Sequence, residues 1–135
     1  MKDKKVIWIT GASSGIGRAL AIKFANEGWI VAASARRENL LKELNQENNN
    51  IHSFPLDVTN TDQCKDIFNS IIQKLEGVEI SIFCTGIHDP QSEKKFNLEK
   101  IKQIMEVNYF GTMNSINAVY EYFTKKKSGQ ISIVS

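Results

Sequence analysis

The sequence predicts an α/β fold, a doubly wound parallel sheet of five strands in the order 3-2-1-4-5. Three observations predict it. Short apolar runs recur five times along the chain, separated by helical segments. The first run, Val6 to Ile9, is continuously apolar, as a strand covered on both faces must be. Between it and the next segment lies a glycine cluster, Gly11, Gly15 and Gly17. Strands alternating with helices mean βαβ units with right-handed crossovers. That topology places a ligand crevice at the carboxyl ends of strands 1 and 4.

The elements follow in order. Val6-Ile7-Trp8-Ile9 ends at Thr10-Gly11 as strand 1. Ile16, Leu20 and Phe24 recur every fourth residue, with Ala21 and Ala25 beside them, so a helix follows and Gly28 stops it. Trp29 to Ser34 is strand 2, and Leu40, Leu41 and Leu44 mark a short helix before the Asn48-Asn49-Asn50 turn. Strand 3 runs from Ile51 to Leu56. Cys64, Ile67, Phe68, Ile71, Ile72 and Leu75 keep helical spacing, and Gly77 ends that helix. Strand 4 covers Glu79 to Phe83, and a polar loop from Ile87 to Phe96 contains Pro90. One long helix is expected from about Asn97 to Lys126, then a break at Ser128-Gly129 and strand 5 from Gln130 to Val134.

The 135 residues suffice for one domain with a core. A hydrophobic fraction of 41% fits a globular chain rather than a disordered one. Seventeen basic and 15 acidic residues leave a net charge of +2, without the concentrated basic surface of a nucleic-acid binder. Lys125-Lys126-Lys127 is the one dense basic run, and a solvated helix end accounts for it. The chain opens Met1-Lys2-Asp3-Lys4-Lys5, and Val6 to Ile9 is too short for a signal-peptide core. No stretch could span a membrane. Cys64 and Cys84 are far apart and lack metal-ligand spacing, and His52 and His88 make no metal pair. A cytoplasmic setting, no membrane partner and no metal are expected. His52 reads as a partly solvated strand residue, whereas His88, at the cleft end of strand 4, leaves a substrate contact open.

The loop Thr10-Gly11-Ala12-Ser13-Ser14-Gly15-Ile16-Gly17 carries the first chemistry. Gly11 permits the tight turn, Gly15 lets backbone approach a pyrophosphate, and Gly17 lets the helix pack on the strand. Ser13, Ser14 and Ile16 complete the approach, and the helix N-terminus offers N–H groups and a favourable dipole to phosphate. A glycine-rich connection without a ligand is the plainer alternative. The spacing T-G-x-x-x-G-x-G resembles the short-chain dehydrogenase/reductase family, a Rossmann-type fold. Further segments resemble it in the same order: Asp57-Val58, Cys84-Thr85-Gly86, Val107-Asn108-Tyr109-Phe110-Gly111 and Ile131-Ser132-Ile133-Val134-Ser135. The resemblance implies that Asp57 hydrogen-bonds an adenine amino group beside Val58, and that Gly86 lies close to the cofactor. It also implies a catalytic position at Asn108, holding a water in a proton relay. Cys84 departs from the asparagine usual there.

The end of strand 2 selects the cofactor. An NAD-binding chain needs a carboxylate there, about 20 residues past the glycine motif, to accept from the ribose hydroxyls. This chain has Ser34-Ala35-Arg36-Arg37, with no acid. The family's NAD-selecting aspartate would fall just before Arg36. A guanidinium there can bind the 2′-phosphate of NADP. NADP(H) is therefore expected in preference to NAD(H), with Arg36 and Arg37 as contacts. The plainer alternative is that both arginines start an exposed helix. Glu38 reads as a helix N-terminal acid, favoured by the dipole.

Asn108 falls among Ile101, Ile104, Met105, Met113 and Ile116, so a buried amide with hydrogen-bond partners is expected. A purely structural bond to backbone is the alternative to a family role. The family's serine, tyrosine and lysine would follow strand 5, so residues 1–135 are expected to form an incomplete dinucleotide-binding domain, inactive alone. Tyr122-Phe123-Thr124-Lys125-Lys126 satisfies Y-x-x-x-K, but lies about 21 Å along the helix from Asn108, at the wrong edge of the sheet. Aromatic packing accounts for it better.

Three function classes remain. The first is an NADP(H)-dependent oxidoreductase for a small carbonyl or alcohol substrate, a homo-oligomer by the family's habit. The second is a catalytically inactive NADP-binding or interaction module. The third, a methyltransferase, is disfavoured by the missing acid after strand 2.

Overall fold

Five parallel strands, numbered along the chain, lie side by side in the order 3-2-1-4-5, as the alternation of elements predicts. The computed structural model describes residues 3–88, 90 and 94–135. Met1 and Lys2 at the start, and Asp89, Gln91, Ser92 and Glu93 in the polar loop, lie outside the described residues.

The central strand β1 (Val6–Thr10) is buried throughout. It pairs with β2 (Ile30–Ser34) on one side and β4 (Ile80–Phe83) on the other, with Trp8 opposite Ala32 and Ser81. Its alternate residues feed two separate cores, because successive side chains point to opposite faces. Ile7 and Ile9 pack with Ala21 and Ala25 of α1 (Gly15–Asn26) and with Leu41 and Leu44 of α2 (Glu38–Glu47). Val6 and Trp8 pack with Phe68 and Ile71 of α3 (Thr61–Leu75) and Val119 of α5 (Gly111–Lys126). Trp8 is fully buried between Phe68 and Phe83, and its indole N–H donates to Ser34 Oγ at 2.9 Å. Loss of that ring would cost about 3–5 kcal/mol.

Several elements differ from expectation. The buried face of α1 is Gly17, Ala21 and Ala25, whereas Ile16 is 60% exposed. Small residues let this helix lie close to the sheet. Strand β3 (Ile51–Ser53) stops three residues earlier than expected. Phe54 and Leu56 stay buried and still donate backbone N–H bonds, to Ala33 O and Ala35 O. The apolar alternation persists there while the regular ladder has ended. Strand β5 (Gln130–Ile133) lies beside β4.

The expected long helix is not uniform. It is α4 (Leu98–Met105), then a π-helical turn (Glu106–Phe110), then α5. Single π turns carry one extra residue and are frequent at functional sites. Asn97 caps α4 by accepting from the Lys100 N–H, and Asn60 caps α3 by accepting from the Gln63 N–H. Ile101, Met105, Tyr109, Phe110 and Met113 are each 40–52% exposed.

Candidate functional site

The carboxyl ends of β1 to β4 and the adjoining loops line a cleft of about 530 Å³. The glycine loop forms one wall. Gly11 has φ +66°, and a side chain there would meet Cys84 and Thr85 backbone at 2.7 Å. Gly17 has no room either, because a Cβ would collide with the Gly11 carbonyl. Gly15 is different: its φ is +55°, and a Cβ would meet nothing within 4 Å. Its missing side chain therefore leaves open space in the cleft rather than a packing contact. The loop is fixed to β2 by the Ala12 N–H, which donates to Ser34 O. Ser13, Ser14 and Ile16 line the same wall. Ser14 is the N-cap of α1 but makes no side-chain cap bond, and the first turn carries no acid. The positive end of the helix dipole thus faces the cleft uncompensated.

Arg36 and Arg37 stand at the end of β2, both exposed and both lining the cleft. Arg37 is also the N-cap position of α2. Glu38 starts that helix and pairs with Lys42 at 3.4 Å, so the acid next in sequence is engaged by its own helix. Asp57 and Val58 form the wall after β3. The Asp57 carboxylate accepts from the Thr59 hydroxyl at 2.7 Å and the Thr59 N–H at 3.0 Å. The hydroxyl bond chiefly holds its carboxyl below the usual range; partial burial opposes this, and the Thr59 N–H and the Arg36 charge assist.

Cys84 and Gly86 line the side formed by the end of β4. Cys84 is half-buried against the α1/α2 core, and burial raises its thiol pKa. Gly86 is not among the glycines with positive φ. A Cβ there would sit 3.5 Å from Asn108 Oδ1, which is ordinary contact.

Asn108 differs from expectation in its surroundings. It lies in the π turn and is exposed, because Ile101, Met105 and Met113 are themselves exposed and form no core around it. Its amide nevertheless has two partners on one residue. Oδ1 accepts from the Ile87 N–H at 2.7 Å, and Nδ2 donates to Ile87 O at 2.9 Å. Asn108 thus clamps the loop after β4 but is not among the residues lining the cleft.

Tyr122 is a structural residue at the opposite edge. Its hydroxyl accepts from the Val78 N–H at 3.2 Å, and Lys126 Nζ donates to Val78 O at 3.3 Å. The ring packs on Phe68 and Phe123. His52 is half-buried in β3, and burial lowers its pKa. His88 is exposed in the loop after β4. A second groove, about 590 Å³, lies between α3 and α5, away from the glycine loop and with none of its geometry.

Sequence reasoning missed four residues that shape the cleft. Ser34 anchors both the glycine loop and Trp8. Thr59 sets the Asp57 carboxylate, and the Asp-x-Thr spacing of a side-chain-closed turn could have shown it. Gly111 sits in a helix interior, itself a signal of close approach. Asn114 carries no signal of its own.

Comparison with known proteins accords with this geometry. A family model described as short chain dehydrogenase matches residues 5–135. The mouse protein dehydrogenase/reductase SDR family member 7 is 30% identical over 138 residues, covering 96% of this chain and 41% of that protein. The 3-oxoacyl-(acyl-carrier-protein) reductase FabG of Thermotoga maritima is 32% identical over 137 residues, covering 98% of this chain and 56% of FabG. The chain thus spans about half the length of these curated relatives. A solved structure described as ElxO with NADP bound matches at TM-score 0.88 and 25% identity, covering 98% of this chain and 55% of that one. The loop, the strand order and a family match running from residue 5 to the last position agree: this chain belongs to the short-chain dehydrogenase family.

Proposed function

We propose that this chain binds NADP(H) in preference to NAD(H), as the dinucleotide-binding part of an oxidoreductase that interconverts carbonyls and alcohols. The observation that carries the reading is the end of β2, where Arg36 stands at the cleft and no acid does. A carboxylate at that point would accept from ribose hydroxyls and repel a 2′-phosphate. A guanidinium donates to the phosphate.

The residues fit such a cofactor. Gly15 leaves open space where backbone meets a pyrophosphate, and the α1 N-terminus faces that space. Ser13, Ser14, Ile16 and Gly17 complete the phosphate end, and Gly11 holds the turn. Arg36 and Arg37 would hold the 2′-phosphate, and Asp57 and Val58 would wall the adenine. Gly86 and Asn108 belong to the nicotinamide side, Asn108 by holding Ile87. When bound, the cofactor supplies the hydride for a small carbonyl or alcohol substrate. ElxO, similar in fold, is described with NADP bound. The exposed apolar side chains of α4 and the π turn suit a homo-oligomer contact.

Titrating NADPH and NADH against the wild type and Arg36→Ala tests the reading. A charge-assisted bond ordinarily contributes about 1.5–3 kcal/mol, roughly ten- to a hundredfold in affinity. The wild type should favour NADPH by that order. Arg36→Ala should lose most of the preference while NADH binding stays unchanged. Equal affinities in the wild type would refute it.

A further inference from the structure

We infer that Asn114 is a positioning residue that holds the adenine wall of the cleft from the far side of α5. The inference rests on the cofactor reading above. Its basis is a set of contacts converging on Val58.

Three features of α5 and its neighbours meet at that residue. Asn114 Nδ2 donates to Val58 O at 2.9 Å. Asn114 Oδ1 accepts from the Thr61 hydroxyl at 3.0 Å, which fixes the way the amide faces. One helical step earlier, Gly111 has no side chain, and a Cβ there would lie 2.6 Å from Val58 Cγ2. Positions three apart share a helix face, so Gly111 receives the Val58 side chain and Asn114 receives its carbonyl. The other donor to that carbonyl is Cys64 Sγ at 3.6 Å, and a thiol is a weak donor. Asn114 is thus the strong hydrogen bond on Val58 O.

The loop so held is the functional one. Val58 is flanked by Asp57 and Thr59, and all three line the cleft. The Asp57 N–H donates to Gln63 Oε1 at 2.6 Å, so α3 holds one end of the loop and α5 the middle. No residue of α5 lines the cleft itself. Asn114 can therefore act on a cofactor only through Val58, at its adenine end. Asn108 does the corresponding work for Ile87 on the other side. Two asparagines on one helical run hold two of the loops that line the cleft.

The test uses 2′,5′-ADP, which carries the adenine end alone, and NADPH. A neutral hydrogen bond is ordinarily worth about a three- to tenfold factor. Asn114→Ala should weaken both ligands by the same factor of that size. Asn114→Asp keeps the volume and the acceptor for Thr61 but cannot donate to Val58 O, and it should do the same. It carries the test should the alanine variant fail to fold. Tyr122→Phe removes a bond from the same helix to Val78, away from the loop. It should lower the melting temperature and leave both affinities unchanged. Binding of 2′,5′-ADP at wild-type strength by the Asn114 variants would overturn the inference alone. So would an equal loss in Tyr122→Phe, which would mean that affinity merely follows stability. A wild-type protein that binds neither ligand would overturn the cofactor reading and this inference with it.

Discussion

Gly15 and Gly17 are two residues apart in the first turn of α1, yet replacing each with alanine should damage the protein in different ways. At Gly17 the added carbon would sit 2.8 Å from Gly11 C and closer still to its oxygen. Ordinary contact begins near 3.4 Å, and the oxygen is the nearer atom, so α1 would have to move about 1 Å or more from the loop. Every atom in the way is backbone, so no side chain can swing aside. Overpacking of this kind costs about 1–3 kcal/mol, and the rigid partner places it at the upper end. For a domain of this size that is a fall of roughly 10 °C in melting temperature.

At Gly15 nothing stands within 4 Å. The cost is only that of an L-residue at φ +55°, about 1–2 kcal/mol, partly offset by a stiffer unfolded chain. The new methyl would instead occupy open cleft. Gly15→Ala should therefore melt within a few degrees of wild type but lose about tenfold or more in NADPH affinity. Thermal denaturation by circular dichroism and NADPH titration separate the two outcomes. If Gly17→Ala melts like wild type, or Gly15→Ala binds NADPH like wild type, the roles assigned to these glycines are wrong.

Three further outcomes follow from the same contacts. Tyr122→Phe leaves the buried Val78 N–H without its acceptor and should cost about 1–2 kcal/mol in chemical denaturation. Asp57 has a depressed folded-state pKa, so its contribution is full above the ordinary carboxylate pKa of about 4 and is lost as pH falls through the lower folded value. Asp57→Asn should thus be destabilised at pH 7 and approach wild type as the pH of urea titrations falls below the ordinary carboxylate range, and a constant difference would contradict this. Burial raises the Cys64 thiol to about 11, so a disulfide reagent at pH 8 should leave Cys64 untouched until the chain unfolds. Cys84, half-buried at the cleft, should react slowly, and more slowly still with NADPH present.

The sheet was legible because buried parallel strands leave short apolar runs, and the glycine loop because its spacing is a backbone requirement. Strand 3 was overread: Phe54 and Leu56 remain buried and bonded to β2 after the regular ladder ends, so their composition still looks like strand. Asn108 was misjudged because its helical neighbours are apolar. Ile101 and Met105 are 40% and 46% exposed, and apolar spacing alone does not say whether anything covers a face. The amide's partners were foreseeable in kind but not in identity, since Ile87 is 21 residues away. The Asn114 contact was illegible for the same reason, spanning 56 residues. Local pattern reports what a residue needs, and only the fold supplies who meets the need.

The π turn at Glu106–Phe110 makes the chain unusually sensitive to length there. A π turn is an α-helix holding one surplus residue, so deleting one residue between positions 106 and 110 would heal the helix, not break it. The healed helix would keep its hydrogen bonds, but the residues left in the turn would change their facing relative to α5. With Gly111 and Asn114 anchored on Val58, that change would carry Asn108 away from Ile87. The outcome would be a well-formed helix with a misaligned cleft, damage that a helix-content measurement would pass over.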